Sequence, residues 1–561
     1  MPRKRRPTKP AWSTACKDWE KRILAGQSLI PCAPLFPAEA KAARDVFDVL
    51  HVADVAGSPP MGDVCRPWVL DFVSTVFGAY DAEAGRRLIS EFFLCVSKKN
   101  SKSTLAAGIM LTALIRNWRS SAEFLILAPT IEIANNSFIP ARDMVKADDE
   151  LNDLFLVQEH YRTITHRINK SSLKVVAADN ETVGGKKATG VLVDELWLFG
   201  KQPNAENMLR EACGGLASRP EGFTIFLSTQ SDSAPAGVFR QKLLYARGVR
   251  DGSIDDRKFL PVLYEFPPRM VETKAFLDPK HFYITNPNLG ASVDTEFLER
   301  EARKAQNDGA ESQAGFFAKH LNVEIGLALR SDRWVGADVW QQQARPRFTV
   351  SELIARSDLV DVGIDGGGLD DLLGLCLIGR DSATHEWWVW CHAWAHPSVL
   401  ERRKAEAARL QDFERDGDLT MVEVIGQDVE AVAAIVKEVE DSGKLDKVGV
   451  DANGIGAILD ALVEAGIPQE KIVGISQGWK LMGAIKTTER KLAEGVMLHC
   501  GQPMMAWCVS NAKVEPRGNA VLITKAAAGS AKIDPLMAVF DAVSLMQLNP
   551  ARAPEPQAFF I

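Results

Sequence analysis

Cysteine pairs are absent from this sequence. Its nine cysteines are scattered, with no CxxC pair and no Cys/His cluster at zinc spacing, and their odd number fits no complete disulfide framework. That pattern argues against a disulfide-stapled secreted domain or a zinc module and is expected of a reduced cytosolic protein. Long apolar runs are missing too. The basic start, Met1-Pro-Arg-Lys-Arg-Arg-Pro7, leads into no stretch of signal-peptide or membrane-spanning length, so a soluble protein that stays in the cell that made it is expected. There is no excess of positive charge, the formal net charge being −7. This argues against a protein coated in basic surface, but nucleic-acid binding depends on local patches and channels and stays open. The basic arm reads as a solvated tail. Internal repeats and low-complexity blocks are also absent. What remains is an ordinary globular composition, 46% hydrophobic and 25% charged, in 561 residues. That length is too great for one core and predicts at least two domains.

Residues 1–60 read as a helical and loop arm punctuated by Pro31, Pro34, Pro37 and the Ser58-Pro-Pro turn. Within 61–330, short apolar runs alternate with longer amphipathic stretches. The runs are Phe92-Phe-Leu-Cys-Val, Phe124-Leu-Ile-Leu-Ala, Leu173-Lys-Val-Val-Ala, Gly190-Val-Leu-Val and Phe223-Thr-Ile-Phe-Leu. Buried strands alternating with helices predict an α/β domain with a mostly parallel sheet covered on both faces. A polar, proline-bearing linker is expected over 331–355. From 356 to 548 the pattern changes to three closely spaced runs, Asp358-Leu-Val-Asp-Val-Gly-Ile, Leu373-Gly-Leu-Cys-Leu-Ile-Gly and Glu386-Trp-Trp-Val-Trp. An antiparallel meander followed by alternating helices and strands is how an RNase H-like domain reads. Residues 549–561 read as a loose tail.

The string Cys95-Val-Ser-Lys-Lys-Asn-Ser-Lys-Ser-Thr104 lies between a strand and the helical stretch Leu105-Ala-Ala-Gly-Ile-Met. A P-loop belongs there, because the helix N-terminus and successive backbone N–H groups cradle phosphate oxygens. In that reading Asn100, Ser101 and Thr104 help form the cradle, Lys102 neutralises the β/γ-phosphates and Ser103 holds Mg²⁺. Against GxxxxGK[ST], Val96 and Ser101 stand where glycines belong, so the string alone is weak and could be a basic loop capping a helix. Downstream, Gly190-Val-Leu-Val-Asp-Glu195 is an apolar strand ending in two acids. Asp194 is expected to bind Mg²⁺ through water and Glu195 to orient or deprotonate the attacking water. The next strand ends in Ser228-Thr-Gln230, where a γ-phosphate sensor would sit.

Three acids mark the second domain. Asp365 ends the first strand of the meander, Asp451 ends Lys447-Val-Gly-Val, and Asp534 opens the last helix in Lys532-Ile-Asp-Pro-Leu. Parallel neighbours bring their C-terminal ends together, where bridging carboxylates could hold two Mg²⁺ or Mn²⁺ ions about 3.5–4 Å apart for phosphodiester hydrolysis. With 73 acids in the chain, chance triplets are easy. Asp371 could be a fourth ligand, and Asp541 competes with Asp534.

In order, Arg66-Pro-Trp-Val, Ser97-Lys-Lys-Asn-Ser-Lys-Ser, Ala128-Pro-Thr, Val193-Asp-Glu, Ser228-Thr-Gln and Asn286-Pro-Asn-Leu-Gly290 resemble the ATPase half of HK97-like large terminases of tailed phages. Asp365-Gly-Gly-Gly-Leu-Asp-Asp-Leu372, Gly449-Val-Asp-Ala, His499 with Trp507, and Lys532-Ile-Asp resemble the nuclease half. The resemblance implies an ASCE-type P-loop ATPase joined to an RNase H-like nuclease. It implies adenine contacts near Trp68, a phosphate contact from Lys98 or Lys99, and coupling through Thr229 and Gln230. The implied cofactors are ATP and Mg²⁺, or Mn²⁺ at the nuclease site. The implied partners are double-stranded viral DNA, a small terminase subunit, the portal protein and further copies of the chain in a ring, all in the cytoplasm of an infected bacterium. A cation from a neighbouring subunit is expected to assist hydrolysis, with Arg219 and Lys186 as candidates. Two other classes stay open. A helicase or repair translocase fused to a nuclease would share the strand-end features, and a DDE-type transposase would share the acids without the P-loop half.

Overall fold

In a computed structural model of the chain, the described residues are 12–177, 188–202, 204–325, 334–368, 371–451, 456–517, 520–525 and 532–551. They fall into two compact units, Met1–Ile325 and Gly326–Ile561. The expected basic arm, the position of Lys186 and most of the expected tail lie outside the described residues.

The first unit is organised by strands whose apolar residues need cover on two faces. The sheet strands are β1 (Glu91–Cys95), β2 (Glu123–Ala128), β3 (Phe155–Gln158), β4 (Thr163–His166), β5 (Ser172–Ala177), β6 (Ala188–Val193), β7 (Phe223–Ser228) and β8 (Phe259–Leu263). Their order is β8-β1-β7-β6-β2-β5-β4-β3. From β8 to β5 all pairings are parallel, and β4 and β3 are added antiparallel at one edge. Every residue of β6, β7 and β8 is buried, as parallel strands covered on both faces must be.

Four helices of this unit are α1 (Pro37–Phe47), α2 (Pro67–Phe77), α3 (Lys102–Ile115) and α4 (Ile131–Lys146). A fifth, α5 (Ala310–His320), comes from much later in the chain. Pro67 opens α2 at a position where its missing N–H costs nothing, and Thr130 caps α4 by accepting from Ile133 N. Residues Leu105–Leu114 of α3 are buried throughout, because α1 and α4 pack against it as well as the sheet. Gly108 lets Phe47 of α1 approach: a Cβ there would stand 2.7 Å from the phenyl ring.

The second unit has β9 (Ser357–Gly366), β10 (Leu373–Asp381), β11 (Trp387–Ala395), β12 (Leu419–Met421), β13 (Leu445–Asp451), β14 (Ile472–Ile475) and β15 (Met497–His499). The path is β12-β11-β10-β9-β13-β14, with β15 also on β11. The expected meander is present, since β9, β10 and β11 pair antiparallel, while β13 joins β9 in parallel. In the stretch expected as a linker, residues 334–356 carry three short helical segments, and Trp334 and Trp340 are almost wholly buried in the core of this unit.

Helix α6 (Asp534–Met546) lies across β9 and β10. Glycine makes this approach possible. A Cβ on Gly363 would fall 2.0 Å from the Ala538 carbonyl oxygen, and one on Gly374 would fall 2.8 Å from the Pro535 backbone. Gly363→Ala should therefore destabilise the second unit by about 1–3 kcal/mol through overpacking. Urea denaturation checks this, and an unchanged midpoint would mean that α6 does not lie so close to β9.

Candidate active sites

The first site grows from a strand order. Strand β7 lies between β1 and β6, so the P-loop following β1, the Ser228-Thr-Gln230 end of β7 and the Asp194-Glu195 end of β6 open on the same sheet edge. This interposed strand is the arrangement that the ASCE-type expectation requires.

The loop from Val96 to Ser101 turns sharply, with Lys99 at φ +72° and Ser101 at φ +58°. Lys102, at the start of α3, is 6% exposed. Its ammonium donates to the carbonyls of Val96 (3.2 Å) and Ser97 (3.1 Å) inside the loop. Burial lowers its pKa, while Glu195 and Asp194 pull it back up. Ser103 and Thr104 are half-buried in the first turn.

Buried Asn100 latches the loop. Its Nδ2 donates to Ser97 O (3.1 Å) and to Asn286 Oδ1 (3.0 Å), and its Oδ1 accepts from Asn288 N (3.0 Å). Trp68 Nε1 donates to Asn288 Oδ1 at 2.7 Å, and Ser292 Oγ donates to Lys99 O at 2.7 Å. The Asn286-Pro-Asn-Leu-Gly290 string is thus a strap holding the P-loop from outside, and Trp68 is tied to that strap. Lys98 donates its backbone N–H to Lys319 O at 2.7 Å.

Asp194 is 1% exposed. It accepts from Ser137 Oγ (2.7 Å) and from Glu195 N (3.0 Å). Burial and then the Glu195 charge raise its pKa to about 6. Glu195 is held at φ +52°, and its carboxylate accepts from Trp197 Nε1 at 2.6 Å. Thr229 and Gln230 are buried. Gln230 N donates to Asn322 Oδ1 (2.8 Å), and its Nε2 donates to Glu265 Oε1 (3.2 Å). Glu265 is paired with Arg247 and Arg250. Burial pushes its carboxyl up, but the two guanidiniums outweigh it and hold it below the usual range.

The polar atoms Ser97 Oγ, Thr229 Oγ1 and Gln230 Oε1 are buried without a hydrogen-bond partner among the described residues. Buried polar groups are nearly always satisfied; the Ser97 and Thr229 hydroxyls can each donate to an anion, whereas Gln230 Oε1 can only accept. Sequence reasoning missed Ser137, Trp197 and Lys319, none of which lies within a phosphate-binding string. Arg219 follows the turn Gly215–Ser218 ahead of β7, at the end of that strand away from the P-loop. The other candidate for the neighbour's cation, Lys186, lies outside the described residues.

The second site is built at the ends of β9 and β13. Their register pairs Ile364 with Val450, so Asp365 and Asp451 come next on neighbouring parallel strands. Asp534 joins the same edge: a Cβ on Gly366 would stand 3.1 Å from Asp534 Cβ. The positive φ values of Gly366 and Gly367 turn the chain away where this helix end arrives. Among the described residues no group of three His, Cys, Asp or Glu side chains is close enough to hold an ion. The three acids share that edge of the sheet. Asp371 is ion-paired with the buried Lys532. Asp541 is fully buried two turns along α6 and accepts from Gln477 Nε2 at 3.0 Å. Burial, then Asp365 and Asp451, push its carboxyl up to about 9. His499 stacks on Trp340 and is hydrogen-bonded to its carbonyl (2.8 Å), and burial keeps it neutral with a pKa of about 4.

Family models match almost all of this frame. The model for the terminase large subunit ATPase domain matches residues 67–248, and that for the terminase large subunit endonuclease domain matches residues 254–549. The chain is 23% identical over 511 residues to the terminase large subunit of Enterobacteria phage HK97, covering 87% of this chain and 89% of that one. It is 22% identical over 469 residues to the terminase large subunit of Lactococcus phage p2, covering 82% of each. The crystal structure of the HK97 large terminase aligns at 19% identity over 90% of this chain and 99% of that one, with a TM-score of 0.48.

The left-handed turn at Ser101 gives a test of the first site. That backbone region costs an L-residue roughly 1–2 kcal/mol, and a β-branched side chain tolerates it worse. Ser101→Gly relieves that cost but loses a similar amount to the greater freedom of glycine in the unfolded chain, so it should leave both thermal stability and ADP affinity near wild type, whereas Ser101→Val should lower both. Calorimetric ADP titration and thermal melts check this, and a fully competent Ser101→Val would contradict the turn described.

Proposed function

Because this chain belongs to the terminase large-subunit family, with an ATPase and an endonuclease domain serving phage DNA packaging, we propose that the two sites described above perform those two hydrolyses. The observation that carries the first is the meeting of buried Lys102, Asp194-Glu195 and Thr229-Gln230 on adjacent strand ends. Lys102 exchanges its loop carbonyls for the β/γ-phosphates, and the cradle N–H groups at the start of α3 bind phosphate oxygens. Trp68, tied to the strap, contacts the adenine, and Lys98 or Lys99 adds a phosphate contact. Ser103 and Asp194 hold Mg²⁺ with the nucleotide. Glu195 orients and deprotonates the attacking water. Thr229 and Gln230 pass the state of the nucleotide toward DNA through the Glu265–Arg247 network.

In the second unit Asp365, Asp451 and Asp534 supply hard oxygen ligands suited to Mg²⁺ or Mn²⁺ and unsuited to a thiophilic metal. Bound ions there contribute positive charge to the attacking and leaving oxygens of the phosphodiester. Asp371 is ion-paired with Lys532, and Asp541 stands near enough to Asp365 and Asp451 for their charges to raise its carboxyl. The working assembly is a homo-oligomeric ring on the portal of the procapsid, in the cytoplasm of the infected cell, with a small terminase subunit recruiting double-stranded DNA. Among the described residues no helix is long and apolar enough to cross a membrane.

The two sites should fail separately. Lys102→Ala should abolish ATP turnover while metal-dependent cleavage of plasmid DNA persists. Asp365→Asn, Asp451→Asn and Asp534→Asn should each eliminate cleavage and leave ATP hydrolysis near wild type. Both activities are assayed on one preparation, and undiminished ATPase in Lys102→Ala removes the P-loop assignment. Glu195→Gln keeps size and hydrogen bonding, so ATP should still bind while turnover falls about 100-fold or more, as loss of a general base implies. Loss of nucleotide binding in that variant would make Glu195 structural.

A further inference from the structure

The C-terminal end of α5 reaches the phosphate site from a distant part of the chain. Lys319 O accepts from the P-loop at Lys98 N, and His320 O accepts from Asn286 Nδ2 at 2.8 Å. Burial and then the Lys98 charge push His320 down to about 4, with Lys99 and Lys102 adding to the effect. The helix end is therefore fixed to both the loop and its strap, among the loop's lysines.

From that end the Lys319 side chain runs toward Glu195. Its ammonium lies 2.8 Å from the centroid of the Trp197 ring, 3.4 Å from Gln230 O and 3.8 Å from Asp232 Oδ2. The same indole donates its N–H to Glu195 at 2.6 Å, and its backbone N–H donates to Ser228 Oγ at 3.1 Å. One tryptophan thus has the acid of β6 on its edge and a cation on its face. The cation is poorly compensated. Its side chain is 18% exposed, a ring face only partly replaces the hydration of a cation, and its carboxylate partner stands beyond hydrogen-bonding distance. Burial lowers its pKa to about 7 even though Asp232 and Glu195 pull upward. An ammonium held this way, beside the P-loop, has more to gain from a phosphate than from its present neighbours.

We propose that Lys319 is a phosphate-binding residue acting in cis, which leaves the face of Trp197 for the γ-phosphate of bound ATP. Trp197 is the accompanying positioning residue: its N–H fixes one oxygen of Glu195 and leaves the other for the attacking water. The γ-phosphate is the group that distinguishes ATP from ADP, so Lys319 reports it to Glu195 through one shared ring. This inference rests on the ATPase reading above.

The test compares Lys319→Met and Lys319→Arg by calorimetric titration with ADP and with ATPγS, and by kcat and KM for ATP. Lys319→Met should bind ADP as wild type, lose about tenfold in ATPγS affinity, as loss of one charged hydrogen bond implies, and turn over ATP at least tenfold more slowly. Lys319→Arg should recover part of both losses. Trp197→Phe should lower kcat without changing ADP affinity, and should add nothing in a Glu195→Gln background. An equal loss of ADP and ATPγS affinity in Lys319→Met would show a merely structural role and overturn the proposal, as would wild-type kcat and selectivity. Lys102→Ala separates the two readings: turnover there overturns the P-loop itself, whereas wild-type selectivity in Lys319→Met overturns only the role of Lys319.

Discussion

The buried charge of Lys102 is the constraint around which the amino-terminal unit is arranged. An ammonium removed from water is stable only where carbonyls, carboxylates or a bound anion replace its hydration. Here two loop carbonyls accept hydrogen bonds from it, and Asp194 and Glu195 supply negative charge at longer range. Both acids are themselves held at a cost. Asp194 is raised toward neutrality by burial, and Glu195 occupies a left-handed backbone position. Charges arranged in this way gain most when a polyanion and its counter-ion enter together, which ties the stability of the site to nucleotide occupancy.

The carboxy-terminal unit meets a different demand, bringing acids to one edge without letting their repulsion open the sheet. Backbone packing does most of this. Gly363 and Gly374 let α6 rest on the sheet at distances that no Cβ permits, and the resulting core of aliphatic and aromatic side chains fixes the strand ends. Counter-charges are used sparingly. Lys532 neutralises Asp371, while burial and the charges of Asp365 and Asp451 raise the carboxyl of Asp541.

How much of this was legible in the sequence followed from the range of the interactions. Strands β1, β2, β5, β6 and β7 announced themselves as apolar runs, because burial on both faces leaves a local signature. Asp194, Glu195, Asp365 and Asp451 stood out as candidates because they stand at or just after the end of such a run, Lys102 because it opens the helix that follows one, and Asp534 because it opens the last helix. Trp197 and Lys319 did not, since their meaning lies in a contact between a short helix after β6 and the end of α5, and nothing local marks it. Ser137 was hidden for the same reason, in the middle of an amphipathic helix. The stretch over 331–355 read as a linker because the helical segments among its described residues are too short for periodicity to show, although two tryptophans there are buried. The Asn286-Pro-Asn-Leu-Gly290 string was noticed only as a family likeness, and its physical purpose became visible once Asn100 was seen between Asn286 and Asn288.

That latch also says something about the order in which the protein is made. The loop carrying Lys102 leaves the ribosome long before Asn286, Asn288 and Ser292, and before Asn322, which receives the Gln230 N–H. Until those residues emerge, the side chain of Asn100 has no asparagine to grip and the loop is not fastened from outside. A nascent chain that has completed β1 to β7 thus possesses the strand ends but not the finished cradle. The same holds for a fragment ending at residue 248, where the match to the ATPase family model stops: it would contain every residue expected to touch the phosphates from the P-loop, yet lack the strap that shapes it.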